Sequence, residues 1–256
     1  MKNFRMIIVM AGILSVGGLL FASCRTTVKE EVDENGTVLS RVEYKGGKKN
    51  GTATYYYPNG NLRSVIHYKN DLEEGVSEFY NSDGTIISDV EMKAGKKEGR
   101  QRAYSPTGYR EMECFFKNDL LDGVQSFYDN MGYKTAEITY ANGLANGPYR
   151  TWHSKNTLQC EGGYKNGMME GKWIYYDENE MVVGTGQFQN GTGVKKTYKH
   201  GELYKETLYE KNHKEGDEKE YDYEGNVVRT VTFHEDRIVA IDGVPQDRES
   251  DELSFE

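Results

Sequence analysis

Glycines 51, 75, 99, 123, 147, 171, 193 and 216 open eight successive stretches of this chain, 24 residues apart five times, then 22, then 23. Five residues after each glycine stands an aromatic: Tyr56, Tyr80, Tyr104, Tyr128, Trp152, Tyr176, Tyr198 and Tyr221. Near the end of each stretch lies Tyr68, Met92, Phe116, Tyr140, Tyr164, Phe188, Tyr209 or Phe233, and Tyr44 supplies the same place before Gly51. A fixed period of this length means one supersecondary unit repeated, stable only through its neighbours.

Within a unit the period is two. Counting the opening glycine as position 0, positions 11, 13, 15 and 17 are mostly apolar, as in Leu62-Ser64-Ile66-Tyr68. Polar residues fill the gaps, which is a strand with two different faces. Pro58-Asn59-Gly60 and Ser82-Asp83-Gly84 predict three-residue hairpin turns with glycine left-handed. Lys165-Asn166-Gly167 opens the looser turn to the next unit. The predicted fold is all-β: an elongated single-layer antiparallel β-meander of tandem hairpin repeats, with roughly 17 strands.

The tight turn also predicts register. Position 5 should face position 11, pairing Tyr56 with Leu62, Tyr80 with Ile86, Trp152 with Leu158, Tyr176 with Val182 and Tyr221 with Val227. In the unit from Gly193 the turn shrinks to His200-Gly201, which keeps Tyr198 opposite Leu203. Parity counting places these aromatics on one face with the apolar positions. It places Tyr149, Trp173 and Tyr175 on the other, where an aromatic cluster is a candidate partner-binding site. On that reading Tyr128→Ala destabilises more than Tyr149→Ala.

Composition agrees with a thin sheet. Only 36% of the 256 residues are hydrophobic, against 29 Gly and 20 Tyr. The net charge of -9 excludes nucleic acid as the expected partner, because phosphate binding needs a basic footprint. The five histidines fall at different repeat positions, and no catalytic or phosphate-binding motif is present. Neither an enzyme activity, a metal nor a cofactor is expected. Cys114 and Cys160, two units apart, are expected as separate buried thiols.

The N-terminus reads as an address. MKNFRMIIVMAGILSVGGLLFASC has a basic start, an apolar run from Met6 to Phe21 and small residues before Cys24. A run of 16 suits a secretory leader better than a bilayer span. Leu20-Phe21-Ala22-Ser23-Cys24 resembles the lipobox of bacterial lipoproteins, which implies cleavage and lipidation (palmitate among the acyl groups) at Cys24. It also implies a membrane partner through the anchor, at the outer membrane of the cell envelope. Loss of the leader removes Lys2 and Arg5 and no acid, taking the charge from -9 to -11. The expected organisation is leader 1–23, lipidated cysteine and polar tether 24–34, repeat array 35–240 and a disordered acidic tail 241–256.

Gly162-Gly163-Tyr164-Lys165-Asn166-Gly167, leading to Glu170-Gly171-Lys172-Trp173, resembles MORN-type repeats. The glycine two before the late aromatic stands only at Gly162 and Gly186, which favours the variant, YwqK-type form. The resemblance covers about residues 35–240 and implies a non-enzymatic interaction scaffold binding an envelope protein or ligand. The alternatives are a spacer without a specific ligand, or the antitoxin or immunity role attached to the variant family.

Overall fold

The computed structural model describes residues 5–9 and 25–246. Leader residues other than 5–9, Cys24 and residues 247–256 lie outside the described part. The protein is all-β, an antiparallel meander of 23 strands among the described residues, with one short 3-10 turn at Ser154–Asn156. It divides into two compact units, Met1–Gly132 and Tyr133–Glu256.

The repeats that lie within one compact unit are the expected hairpins. In the first, the strands Lys48–Tyr56 and Leu62–Lys69 meet at a turn closed by Tyr57 N–H to Asn61 O at 2.8 Å and Gly60 N–H to Tyr57 O at 2.9 Å. Gly60 sits at φ +85°, the left-handed conformation that glycine adopts without penalty. All six predicted pairs are present: Tyr56 with Leu62, Tyr80 with Ile86, Trp152 with Leu158, Tyr176 with Val182, Tyr198 with Leu203 and Tyr221 with Val227. The short unit keeps its register through a two-residue turn in which His200 and Gly201 both have positive φ, 52° and 85°. The opening glycine has its own reason. Gly51 lies at φ +116°, and a Cβ there would overlap the Glu43 carboxylate that accepts from Thr52 N–H at 2.9 Å.

The face assignment differs from the expectation. Next to the tight turn of the first repeat the ladder slips by one residue: Tyr55 faces Ser64, yet Tyr56 faces Leu62, leaving Arg63 unpaired. The same β-bulge recurs at Ile87, Glu111, Gln159, Val183, Tyr204 and Val228. A bulge shifts parity by one. Positions 2 and 4 therefore share a face with 13, 15 and 17, and the position-5 aromatics lie on the other. The second face is polar. Tyr104, Tyr176 and Tyr221 donate their hydroxyls to Asp89, Glu161 and Glu206 at 3.0, 3.0 and 2.9 Å, each 15 residues upstream. Arg102 and Lys196 bridge to Asp89 and Glu206 at 2.8 and 3.0 Å. The recurring tyrosines thus stitch a hydrogen-bonded surface rather than an apolar stack.

The apolar face is packed by size exchange across the ladder. Small residues at position 2 face larger ones: Ala53 faces Ile66 and Ser77 faces Val90. Where position 2 is aromatic, its partner is glycine: Tyr149 faces Gly162 and Trp173 faces Gly186. A Cβ on Gly162 would fall inside the Trp173 ring, and one on Gly186 inside Phe188. Neighbours thus share one layer of volume, which is what close packing requires.

The array is longer than expected at both ends. Residues 26–32, read as part of a polar tether, form the strand Thr26–Val32 against Val38–Lys45. Asp33 to Thr37 closes the same three-residue turn, with Gly36 at φ +85° and Asp33 N–H to Thr37 O at 2.9 Å. Thr26, Thr27, Val28 and Val32 are β-branched, and Arg41 pairs with Glu30 at 2.7 Å, so this stretch folds as a repeat strand. Arg5–Val9 pairs with the outer edge of Thr26–Val32. At the other end, Arg237–Ile241 and Val244–Pro245 pair around Asp242-Gly243, so the residues through Pro245 extend the sheet where a disordered tail was expected. Asp-Gly between β-branched residues is a two-residue hairpin turn, and Asp242 also accepts from Thr230 N–H at 2.8 Å.

Candidate functional site: an aromatic face in the second unit

In the Tyr133–Glu256 unit the strands Leu144–Trp152, Leu158–Lys165, Met168–Tyr176 and Val182–Gln189 carry a continuous aromatic cluster. The structure brings Tyr149, Trp173 and Tyr175 together as predicted, but on the packed face and with partners parity counting put elsewhere. Trp173 is only 3% exposed and sits at the centre. Tyr149 lies 5.2 Å from it at 34° and Tyr175 6.5 Å at 26°. Tyr164 and Phe188 meet its ring edge-to-face at 5.3 and 6.2 Å. Tyr209 extends the chain of rings, 5.6 Å from Phe188. Tilted and edge-to-face geometries are those the ring quadrupoles favour.

Beside this cluster a recess of about 500 Å³ opens along the same face. Tyr149, Trp173 and Tyr175 line it with Cys160, and Thr151, His153 and Gln159 supply polar groups. His153 is fixed by its Nε2–H donating to the Tyr176 carbonyl at 3.0 Å. Gln159 is the bulge residue of its hairpin and is solvent-exposed. The Trp173 indole N–H is buried without an acceptor among the described residues. Lys195 covers the far side of Tyr175, its ammonium 3.9 Å from the ring centroid, a cation–π contact.

The electrostatics keep the recess neutral. Burial pushes the Cys160 thiol up to about 11 and the Tyr164 phenol up to about 12. Burial raises Tyr149 and Tyr175 as well, and it lowers Lys195. Thiol and phenols stay protonated near neutral pH, so the recess offers ring faces and neutral hydrogen-bonding groups. Such a surface suits contact more than proton transfer. Among the described residues no group of three His, Cys, Asp or Glu could hold a metal ion. Cys114 and Cys160 are both free and buried, as expected.

Parity counting missed the ring partners Tyr164, Phe188 and Tyr209, the cation Lys195, and the rim of Thr151, His153 and Gln159. Beyond the ring cluster the same face turns ionic. Glu218, 6% exposed, accepts from Lys205, Thr207 and Lys214 at 2.8, 2.8 and 3.0 Å. Burial alone would raise its carboxyl, but these donors hold it down at about 2.

No curated protein matches the chain. Residues 49–70 and 169–190 match the MORN repeat variant family. The second match contains Trp173, Tyr175, Gly186 and Phe188, the centre of the aromatic face. Repeats of this kind generally bind proteins or lipids. The two matched stretches are thus similar to MORN-variant repeats, and the hairpin geometry they share runs through the units around them.

Proposed function

We propose that the chain is a non-enzymatic, lipid-anchored scaffold that holds a protein or other ligand at the bacterial envelope, on the aromatic face of its second unit. The observation that carries the binding reading is the recess lined by Tyr149, Trp173 and Tyr175, a concave and largely apolar site with a few polar groups at its rim. Anchoring rests on the leader and on Leu20-Phe21-Ala22-Ser23-Cys24. More than one acyl chain on Cys24 would make attachment stable, since each buried CH₂ contributes about 0.8 kcal/mol. Removal of the leader would take Arg5–Val9 with it, and the array of the mature chain would start at Thr26–Val32.

Two experiments test the two halves. Cells fed labelled palmitate should transfer label to the wild-type chain and none to Cys24→Ser; label on the variant would rule out lipidation at that residue. Crosslinking on membranes should capture a discrete partner that Gln159→Arg abolishes. Gln159 lines the recess yet leaves the Trp173 core intact, so loss of capture with an unchanged fold supports the site. Identical capture by wild type and variant favours a spacer whose aromatic face only packs.

A further inference from the structure

Two of the hairpin turns are tied to the turn that follows. Tyr57 Oη donates to the Tyr80 carbonyl at 2.8 Å, and His153 Nε2 to the Tyr176 carbonyl at 3.0 Å. Each bond runs from the residue just before one turn to the same face of the next. In the hairpin from Gly193 that place belongs to Lys199, and the turn after it is one residue shorter. Lys199 instead lays its ammonium 5.4 Å from the Tyr204 ring centroid. The shortened turn leaves a notch of about 110 Å³ beside the next hairpin.

We propose that this notch receives an arginine side chain of a partner protein. Leu203, Tyr204, Tyr221 and Tyr223 form its walls, and Lys199, Glu202 and Asp222 its rim. Tyr204 is the bulge residue of its hairpin, a place held by Arg63, Ile87, Glu111, Gln159, Val183 and Val228 in six other units, so among these hairpins an aromatic enters there at the short unit alone. The opposite wall is held in place. Tyr221 donates to Glu206 at 2.9 Å, and Asp222 accepts from Glu224 N–H and Asn226 N–H at 2.9 and 2.8 Å. Tyr223 stands on that turn 77% exposed.

The volume admits one side chain rather than a small-molecule ligand, whose pockets are about 300 Å³ or more. Ring faces with two carboxylates at the rim select a cation, and a chain of net charge -9 favours its approach. The protein already places cations on Tyr204: Lys199, and Lys205 at 5.8 Å. Lys205 is committed to Glu218 and Glu220 at 2.8 and 3.0 Å. Lys199 is exposed and is the group an incoming arginine would displace. A guanidinium fits this role better than an ammonium, because it is flat, stacks on rings and is less strongly hydrated. This site is separate from the Tyr149–Trp173 recess and stands or falls without it.

The test is an NMR titration of the chain with acetyl-Gly-Arg-Gly-amide, beside the lysine and citrulline peptides. Arginine should give saturable shifts of the Tyr204, Tyr221 and Tyr223 ring signals, with lysine weaker and citrulline silent. Tyr223→Ala removes an exposed ring and should weaken arginine binding roughly tenfold. Lys199→Ala, which vacates Tyr204, should strengthen it. Shifts of equal size with citrulline, equal affinity for lysine, or an affinity unchanged by Tyr223→Ala would each overturn the assignment.

Discussion

The chain has two tryptophans, one on each face of the sheet, and their substitution by alanine tests the bulge-shifted parity directly. Trp173 is 3% exposed and touches four rings, Tyr149, Tyr164, Tyr175 and Phe188. A buried tryptophan removes about 200 Å² from water, which at about 25 cal/mol per Å² is worth roughly 5 kcal/mol. Measured Trp→Ala losses in cores run about 3–5 kcal/mol, so Trp173→Ala should cost about 4 kcal/mol. Trp152 is half-buried, faces Leu158 across the ladder and makes no ring contact among the described residues. Its loss should cost about 1–2 kcal/mol. Urea unfolding followed by circular dichroism measures both, and in each variant the remaining tryptophan reports by fluorescence. The gap of about 2 kcal/mol or more exceeds the extrapolation error of such curves. Equal losses, or a larger loss for Trp152→Ala, would mean that the position-5 aromatics carry the core and that the face assignment is wrong.

The tyrosines give a parallel comparison. Tyr149→Ala should destabilise by about 2 kcal/mol, because it removes contacts to Trp173 and Tyr164, whereas Tyr128→Ala, whose ring carries the Arg110 guanidinium at 4.2 Å, should cost about 1 kcal/mol in the same unfolding assay. That order is the reverse of the one parity counting suggests. Glu218 should make the second unit acid-sensitive. Its folded carboxyl lies at about 2 against an ordinary 4.5, so its contribution is present above pH 4.5 and is lost as pH falls towards 2. Thermal unfolding from pH 6 to pH 2 should lose on the order of 2 kcal/mol from this group, and Glu218→Gln should flatten that part of the profile. Cys160, buried and pushed up to about 11, should resist a thiol-disulfide reagent at pH 8 in the folded chain and react as urea unfolds it.

The period, the turns and the cross-strand register were legible because each depends on local chemistry. A glycine that must be left-handed, such as Gly60, fixes the turn, and the turn fixes which residues face each other. The faces were not legible by the same counting. Alternation predicts a face only along an unbroken ladder, and one unpaired residue beside a turn exchanges the faces of the preceding strand. The end strands were missed for a different reason. Thr26–Val32 and Arg237–Ile241 carry fewer of the repeat's aromatics, so their pairing shows only through β-branched residues and the flanking Asn35-Gly36 and Asp242-Gly243 turns.

A signal for the correct faces does stand in the sequence: the two glycines at position 15 occur in the units whose position 2 is Tyr149 or Trp173. Two residues that trade volume must lie side by side on one face, because a packed layer has room for only one large group per pair. That exchange places Tyr149 and Trp173 with the position-15 residues from the sequence alone. It also separates scaffold from site. In a nearest-neighbour array, a unit needs only to satisfy the unit on either side. A departure that its neighbours accommodate, such as Trp173 over Gly162 or the shortened His200-Gly201 turn beside Tyr204 and Tyr223, leaves the array intact while changing what its surface offers. The aromatic recess and the notch lie at these two departures. An array of identical units would present the same surface at every step and could hold a partner in no single register, whereas these departures make two places on the chain unlike the rest.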